Sequence, residues 1–133
     1  MFLYISKDKK IHEVQQYFNS KYPFLKLEFY KLENTDPAFA VKKHLSHSIT
    51  LKAAGLRDSG LIDIQNDLTV GDLEKMFLNK FGLNVQVSRK SGTLWLETTM
   101  TDKWSLQKQN EHGREITLHP LRSTMNNSDI ENR

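Results

Sequence analysis

Aromatic and basic residues on two predicted β-strands carry the clearest binding chemistry in this sequence. Tyr30 and Trp95 each occupy a solvent-side position in an alternating strand. The basic residues near them along the chain are Lys26, Arg89 and Lys90. Aromatic rings on a sheet surface stack on nucleobases, and basic side chains neutralise phosphate groups. We therefore predict a binding surface made of these five residues, with single-stranded nucleic acid as a candidate ligand.

Two considerations weaken the nucleic-acid hypothesis. The predicted strand order puts Tyr30 and Trp95 on opposite edges of the sheet, whereas RNA-recognition modules stack bases on their two central strands. No stretch of the chain matches the glycine-aromatic signature of those modules. In another interpretation, the sheet face that carries Tyr30 and Trp95 is covered by residues 33–60, which connect the two halves of the domain, or by the C-terminal segment through Trp104 and Leu106. Nucleic-acid binding is therefore an alternative and not the favoured function.

Signals for catalysis and metal binding are sparse. His44 and His47 have a spacing that would put both imidazoles on one side of a helix, but a catalytic zinc site needs a third protein ligand. Ser46 and Ser48 flank His47, yet adjacent residues rarely face one another, and no nucleophile elbow is present. No glycine-rich phosphate loop is present either. The sequence therefore predicts no catalytic residue, no metal ligand and no cofactor.

Length and composition are those of one small domain. The chain has 133 residues, a net charge of +3 and no cysteine. Disulfides, thiolate metal ligands and a cysteine nucleophile are therefore excluded. The apolar start at residues 1–5 is too short for a signal peptide, and no apolar run approaches the roughly 18 residues of a membrane span. We expect a cytoplasmic protein with no membrane partner.

The hydrophobic pattern predicts a first strand–helix–strand unit. Apolar residues 2–5 form a short strand, and residues 25–31 alternate apolar and polar side chains as a half-buried strand does. Pro23 ends the helix between them, because the residue before a proline is disfavoured in the helical region. The helix itself follows from an apolar stripe at three- and four-residue steps: Ile11, Val14, Phe18 and Tyr22.

A second unit of the same kind follows. A strand at 61–64 precedes a helix that begins after Thr69, a suitable N-cap, and ends at Gly82, a suitable C-terminal cap. Residues 83–88 and 93–98 then alternate on either side of a short turn. Two alternating runs around a turn predict a β-hairpin.

The two units repeat one pattern and together predict the fold. Ile11 aligns with Val70 and Phe18 with Phe77, each at an offset of 59 residues. Two such units with an added hairpin strand predict an α+β, ferredoxin-like sandwich (β-α-β, connector, β-α-β-β), with two helices on one face of an antiparallel sheet. With the five strands numbered along the chain, the sheet order would be 5-4-1-3-2. A ubiquitin-like grasp fold is the alternative.

The domain organisation follows from where the pattern fades. Residues 1–106 form a single α+β domain, in which 33–60 are an irregular connector with a capped helical turn at 50–55. Residues 107–133 are polar and predict a flexible C-terminal tail. The last strand, 93–99, would lie at the sheet edge, where an uncovered strand can pair with another chain. A protein partner or a homodimer through this edge is therefore expected.

Three segments resemble a known group of sequences: YPFLKLEF at 22–29, LTVGDLE at 68–74 and VQVSRKSGTLWLETT at 85–99. Through them the chain is similar, over roughly residues 1–110, to a family of small bacterial proteins with no assigned function. The resemblance implies one intact domain with a variable tail. It implies no activity and no catalytic residue.

The function that these observations predict is a non-enzymatic binding or assembly module with an unknown ligand. The prediction depends on the missing catalytic constellation and on the partly open aromatic sheet. Two alternatives remain. One is single-stranded nucleic-acid binding through the aromatic and basic sheet face, and the other is a small enzyme of unknown reaction that uses His44 and His47.

Overall fold

Six strands and four α-helices make a mixed α+β fold in the computed structural model, which describes residues 1–33, 36 and 38–120. The α+β class is therefore confirmed. None of the described helices is long and apolar enough to cross a membrane. The strands are β1 (Phe2–Ile5), β2 (Leu25–Leu32), β3 (Lys42–His44), β4 (Gly60–Asp63), β5 (Asn84–Ser91) and β6 (Leu94–Glu97). The helices are α1 (Ile11–Lys21), α2 (Leu51–Ala54), α3 (Val70–Met76) and α4 (Leu106–Leu118).

The described strands divide into two antiparallel sheets. β1 pairs with β4, and Leu3 lies opposite Ile62. The second sheet has the order β3-β2-β5-β6, and Leu27 of β2 lies opposite Val87 of β5. Apolar side chains alternate along β2, so one face of this sheet is buried and the other carries polar side chains.

The predicted sheet order 5-4-1-3-2 is wrong. The strand at 60–63, third in the predicted numbering, does lie beside β1, as that order requires. The strand at 84–91, fourth in the predicted numbering, pairs with β2 instead of β1, and β3 adds a strand from the connector. The ferredoxin-like sandwich is therefore not confirmed. Alternation shows which face of a strand is buried, but it does not identify the neighbouring strand. β2 and β5 have eight residues each and β1 has four, so pairing the long strands forms more cross-strand contacts.

One hydrophobic core connects the helices with both sheets. The predicted stripe of α1 is confirmed, since Ile11, Val14 and Phe18 are fully buried. Phe77 packs edge-on against Phe29 of β2, with 6.1 Å between the ring centroids. Burial of one large apolar side chain stabilises a fold by about 1.5–3 kcal/mol. These contacts therefore fix one face of α1 in the core and hold the turn at Phe77 against β2.

The predicted ends of the second helix are confirmed. The Thr69 hydroxyl accepts a hydrogen bond from the backbone N–H of Asp72 at 3.1 Å, as an N-cap does. A π-helical turn, Phe77–Phe81, continues α3, and its two end residues are both fully buried. Gly82 follows with a φ of 70°, a left-handed conformation that glycine adopts without strain.

The connector at 33–60 contains β3 and α2. The Thr50 hydroxyl accepts a hydrogen bond from the N–H of Ala53, and Gly55 ends α2, so the predicted capped turn is confirmed. Residues 34, 35 and 37 of the connector lie outside the described residues. The connector therefore supplies an edge strand to the second sheet.

Helix α4 occupies residues that the sequence analysis assigns to the polar tail. Its buried positions are Leu106, Gln109 and Gly113, of which only the leucine is a large apolar residue. An apolar stripe could not predict this helix, because an amide and a glycine make much of its contact. The remainder of the predicted tail, 121–133, lies outside the described residues.

Gly113 allows α4 to approach the second sheet closely, and this generates a prediction. A Cβ atom at this position would stand 2.9 Å from Cγ of Arg89 and 3.1 Å from the carbonyl oxygen of Phe24. Gly113→Ala gains helix propensity of about 1 kcal/mol, but overpacking against the backbone costs about 1–3 kcal/mol. We expect a lower free energy of unfolding, measured by urea denaturation.

The matched control for Gly113→Ala is Arg114→Ala, at the next position of α4. Arg114 is half-exposed, and among the described residues its ion pair is with Glu111 on the same helix. Its replacement should change the free energy of unfolding by no more than about 0.5 kcal/mol. Equal stabilities of the two variants would contradict the close approach of α4.

Tyr22, at the end of α1, gives stability a pH dependence. Its hydroxyl donates a hydrogen bond to Oδ1 of Asn66 at 2.9 Å. Burial and the nearby Asp67 carboxylate raise the pKa of Tyr22 from 10.0 to about 12. The folded state thus favours the neutral phenol. The resulting stability is fully present below pH 10, the unfolded pKa, and is lost as the pH rises through about 12.

Replacement by phenylalanine tests this pH dependence. Tyr22→Phe should lower the free energy of unfolding by about 0.5–1.5 kcal/mol at neutral pH, because the hydrogen bond to Asn66 is lost. The difference between the two proteins should shrink or reverse between pH 10 and 12, since only the wild type has a phenol to ionise at this position. A difference that stays constant over this range in urea denaturation would show that Tyr22 is not responsible.

Candidate functional site

The polar face of the second sheet carries most of the predicted binding residues. Lys26, Glu28 and Tyr30 alternate along β2 with buried apolar residues and therefore lie on the face away from the core. The register of β5 with β6 brings Trp95 and Glu97 to the same face. We call this surface the open face.

The C-terminal segment packs on the other side of this sheet. Leu106 is fully buried in the hydrophobic core. Trp104 lies beside Arg89, whose register partner Leu25 faces the core. The interpretation in which Trp104 and Leu106 cover the open face is therefore wrong.

Charged side chains make successive contacts across the open face. Lys26 Nζ lies 6.0 Å from the ring centroid of Trp95 and 3.3 Å from Oε1 of Glu28. The other carboxylate oxygen of Glu28 lies 3.4 Å from Nδ1 of His44, on β3. The Lys26 ammonium is thus held between an indole ring and a carboxylate.

Tyr30 has different neighbours. Lys42 Nζ lies 5.0 Å from the Tyr30 ring centroid and donates a hydrogen bond to Oε1 of Gln86 at 2.7 Å. Burial raises the pKa of Tyr30, and the carboxylates of Glu74 and Glu97 raise it further. The Tyr30 ring is therefore already engaged by a cation of this chain.

Side-chain amides of α1 cover part of the β2 edge. Among the described residues, β3 pairs only with 30–32 of β2, so the first half of β2 has no strand on that side. Gln15 Nε2 donates a hydrogen bond to the carbonyl oxygen of Leu27 at 2.9 Å. Asn19 Nδ2 donates to that of Leu25 at 3.0 Å. The two amides, one helical turn apart, thus satisfy edge carbonyls that would otherwise need water.

Backbone hydrogen bonds hold the connector against the start of α1. The N–H of His12 donates to the carbonyl oxygen of His47 at 2.9 Å, and that of Ile11 donates to Ile49 at 3.0 Å. The first N–H groups of a helix have no partner within it, so these bonds stabilise the start of α1. They also bring the rings of His12 and His47 together, with 6.2 Å between their centroids.

These side chains line a groove between α1 and the open face, which we call the α1–β2 groove. Its two parts have volumes of about 380 Å³ and 270 Å³. Gln15, Lys26 and His47 line both parts, so the two are continuous. The larger part is lined by His12, Gln15, Gln16, Asn19, Lys26, His47 and Trp95.

The larger part of the groove offers polar groups and an aromatic ring, and none of the described carboxylates lines it. Three carboxamides, two imidazoles and the Lys26 ammonium are the polar groups. Trp95 is 37% exposed, so part of its ring is free to contact a ligand. Glu28 lines only the smaller part. This lining suits a neutral or anionic ligand that has acceptor atoms and a flat face.

The structure places the five predicted binding residues in three locations. Lys26 and Lys90 lie near Trp95 on the open face, and Lys90 is directly opposite Trp95 in the strand register. Tyr30 lies farther along the same face. Its predicted position on an edge strand is wrong, because β2 lies between β3 and β5. Arg89 lies on the opposite face of the sheet.

The candidate catalytic residues do not form a nucleophile–base pair. The Ser46 and Ser48 hydroxyls lie 2.8 Å apart and hydrogen-bond to each other. His44 contacts Glu28 instead of a hydroxyl group. In the part of the chain that the structure describes, no group of three or more histidines and carboxylates is arranged to bind a metal ion.

The α1 side of the groove was not predicted from the sequence. Gln15, Gln16 and Asn19 lie outside the apolar stripe of the helix, where polar residues are ordinary. The available signal was that this side has amides where charged residues are more usual. That signal is weak, because it does not show which strand edge the helix will lie against.

Comparison with known proteins gives no family assignment. No family model, curated protein or solved structure matches the chain. The resemblance to a family of small bacterial proteins therefore stays a prediction. Function has to be inferred from the chemistry of the groove.

Proposed function

We propose that this protein is a non-enzymatic binding module whose ligand lies in the α1–β2 groove. The observation that carries the proposal is the half-exposed Trp95 ring, with Lys26 Nζ 6.0 Å from its centroid. Both lie in a groove section whose described lining residues include no carboxylate. The volume of this section, about 380 Å³, lies within the range of about 300–1,000 Å³ that is usual for small-molecule sites.

A nucleotide-like ligand fits this lining best. The indole of Trp95 provides a surface on which a planar ring can stack, and stacking on a base contributes about 1–3 kcal/mol. The Lys26 ammonium can pair with an anionic group. The side-chain amides of Gln15 and Asn19 already bond to β2, but their oxygens stay available as acceptors. A ligand with a planar ring joined to an anionic group can therefore stack on Trp95 and pair with Lys26.

Single-stranded nucleic acid is the extended form of the same ligand. The position of Lys90 directly opposite Trp95 favours it, since a second cation lies beside the stacking surface. Tyr30 and Arg89 take no part, because one is engaged by Lys42 and the other lies on the opposite face. We expect such a strand to contact Lys26, Lys90 and Trp95.

Assembly through the β6 edge is a separate alternative. Among the described strands, β6 pairs only with β5, and its residues Leu94 and Leu96 are 64% and 42% exposed. An uncovered edge strand with apolar side chains can pair with a strand of another chain. A homodimer or a protein partner through 93–99 would use this edge. A monomeric mass in sedimentation at high protein concentration would exclude the homodimer.

The small-enzyme alternative has one observation in its favour. His44 and His47 line the smaller part of the groove together with Glu28, and a histidine–carboxylate pair can transfer protons. The neighbouring Ser46 hydroxyl bonds to Ser48, so no activated nucleophile accompanies the pair. Any turnover that survived replacement of both histidines would exclude them as its catalytic residues.

Titration of the isotope-labelled full chain tests the binding proposal. The probes are adenosine monophosphate and a mixed-sequence single-stranded oligonucleotide at low ionic strength. We expect saturable changes in the NMR signals of the Trp95 indole N–H and of the Gln15 and Asn19 side-chain amides. Trp95→Ala should weaken binding by about 5- to 150-fold, because it removes the stacking surface.

Leu94→Ala is the matched control. Leu94 is the exposed neighbour of Trp95 on β6 and points to the other side of the strand, so its loss should leave the affinity unchanged. Equal loss of affinity in both variants would contradict a specific role for Trp95. Signal changes confined to residues outside the groove, or none with either probe, would contradict the nucleotide-like ligand.

A further inference from the structure

A basic cluster lies on the side of the sheet opposite the open face. Arg89 of β5 and Lys108 of α4 both lie close to the Trp104 ring. The guanidinium carbon of Arg89 is 5.9 Å from the ring centroid, and the ammonium nitrogen of Lys108 is 4.3 Å from it. His112, one turn farther along α4, packs edge-on against the same ring, with 5.3 Å between the centroids. Three basic side chains therefore surround one indole.

These basic side chains form no ion pair with a carboxylate in the described part of the chain. Within residues 1–33, 36 and 38–120, none of the ion pairs includes Arg89, Lys108 or His112. Burial lowers the pKa of Arg89. Burial, followed by the charges of Arg89 and Lys108, lowers the pKa of His112. Arg89 and Lys108 thus disfavour the protonated form of the His112 imidazole, and a bound anion would offset their charge.

Neutral groups hold Arg89 in position. Oε1 of the fully buried Gln109 accepts a hydrogen bond from Arg89 Nη1 at 2.9 Å, and its Nε2 donates to the carbonyl oxygen of Thr101 at 2.7 Å. Gly113 allows the α4 backbone to lie against the stem of Arg89. Arg89 Nε is buried without a hydrogen-bond partner among the described residues. The Arg89 guanidinium is therefore held in place and still has N–H groups that can donate hydrogen bonds to a ligand.

We infer that Arg89, Lys108 and His112 form a second binding site, which takes a phosphate group beside the Trp104 ring. Arginine binds phosphate through paired N–H donors, and lysine adds a point charge. This site is distinct from the α1–β2 groove, because the sheet lies between them. The phosphate can belong to a small phosphate ester or to a nucleic-acid backbone, since the chemistry of recognition is the same.

Titration of the full chain with sodium phosphate tests the site, with sodium chloride at equal ionic strength as the reference. Saturable changes of the Trp104 indole N–H and the His112 ring signals in NMR are expected with phosphate only. The pKa of His112 should rise when phosphate binds, because the anion offsets Arg89 and Lys108, the charged groups that face the imidazole. A parallel titration with a mixed-sequence single-stranded oligonucleotide separates the two sources of phosphate.

Four charge-removing variants, two in the site and two outside it, make the assignment specific. Arg89→Gln should weaken phosphate binding by about tenfold or more, because charge-assisted hydrogen bonds are lost. Lys108→Gln, at an exposed helix position, should also weaken it and does not endanger the fold. Lys103→Gln removes an equal charge one residue before Trp104 and should have little effect. Lys26→Gln, in the groove, should have none, so a failure of the groove proposal leaves this test intact.

Each outcome of these titrations either supports the phosphate site or overturns it. Binding of free phosphate that depends on Arg89 and Lys108 supports the site with a small phosphate ester as its ligand. The same dependence seen only with the oligonucleotide supports the site with a nucleic-acid backbone as its ligand. The inference is overturned if no probe changes the Trp104 and His112 signals. It is also overturned if Arg89→Gln and Lys108→Gln weaken binding no more than Lys103→Gln.

Discussion

The hydrogen bonds from the Gln15 and Asn19 side chains to the outer edge of β2 are the contacts on which the rest of the site depends. β2 supplies the core with apolar side chains, pairs with β5 and carries Lys26 on the open face. None of the described strands pairs with its carbonyl groups at Leu25 and Leu27 on the outer side. Leaving such a group unsatisfied costs about 1–3 kcal/mol when it is buried. The α1 amides remove that cost, and the groove exists because they hold α1 beside the strand.

The second sheet separates two basic surfaces that differ in how their charge is balanced. On the open face, Lys26 pairs with Glu28, so the groove has a modest charge beside the Trp95 ring. On the opposite face, Arg89 and its neighbours have no carboxylate partner among the described residues. The net charge of +3 is small and gives no sign of this division. A stacking ligand suits the first surface and a phosphate group suits the second, because the first has the exposed ring and the second has the unbalanced charge.

Local patterns predicted the elements better than their arrangement. The cap at Thr69 is a hydrogen bond between near neighbours, so the sequence sufficed to locate it. The pairing of β2 with β5 joins distant segments, and alternation carries no information about the partner strand. α4 was not predicted, because its buried face includes Gln109 and Gly113 in place of large apolar residues. In the site, Lys26 and Trp95 were predicted from their residue types. The α1 amides were not, because only the tertiary fold shows that a strand edge lies beneath them.

An isosteric change at Asn19 tests the dependence on the β2 edge most directly. Asn19→Asp replaces an amide that donates to the carbonyl oxygens of Leu25, at 3.0 Å, and Pro23, at 3.2 Å, with a carboxylate oxygen that repels both. Gln16→Glu makes the same change of charge on the same helix, at an amide that makes no hydrogen bond to β2 among the described residues. Urea denaturation should show a loss of about 1–3 kcal/mol in the free energy of unfolding for Asn19→Asp, and a change within about 0.5 kcal/mol for Gln16→Glu. Equal effects of the two changes would contradict the claim that the α1 amides hold β2.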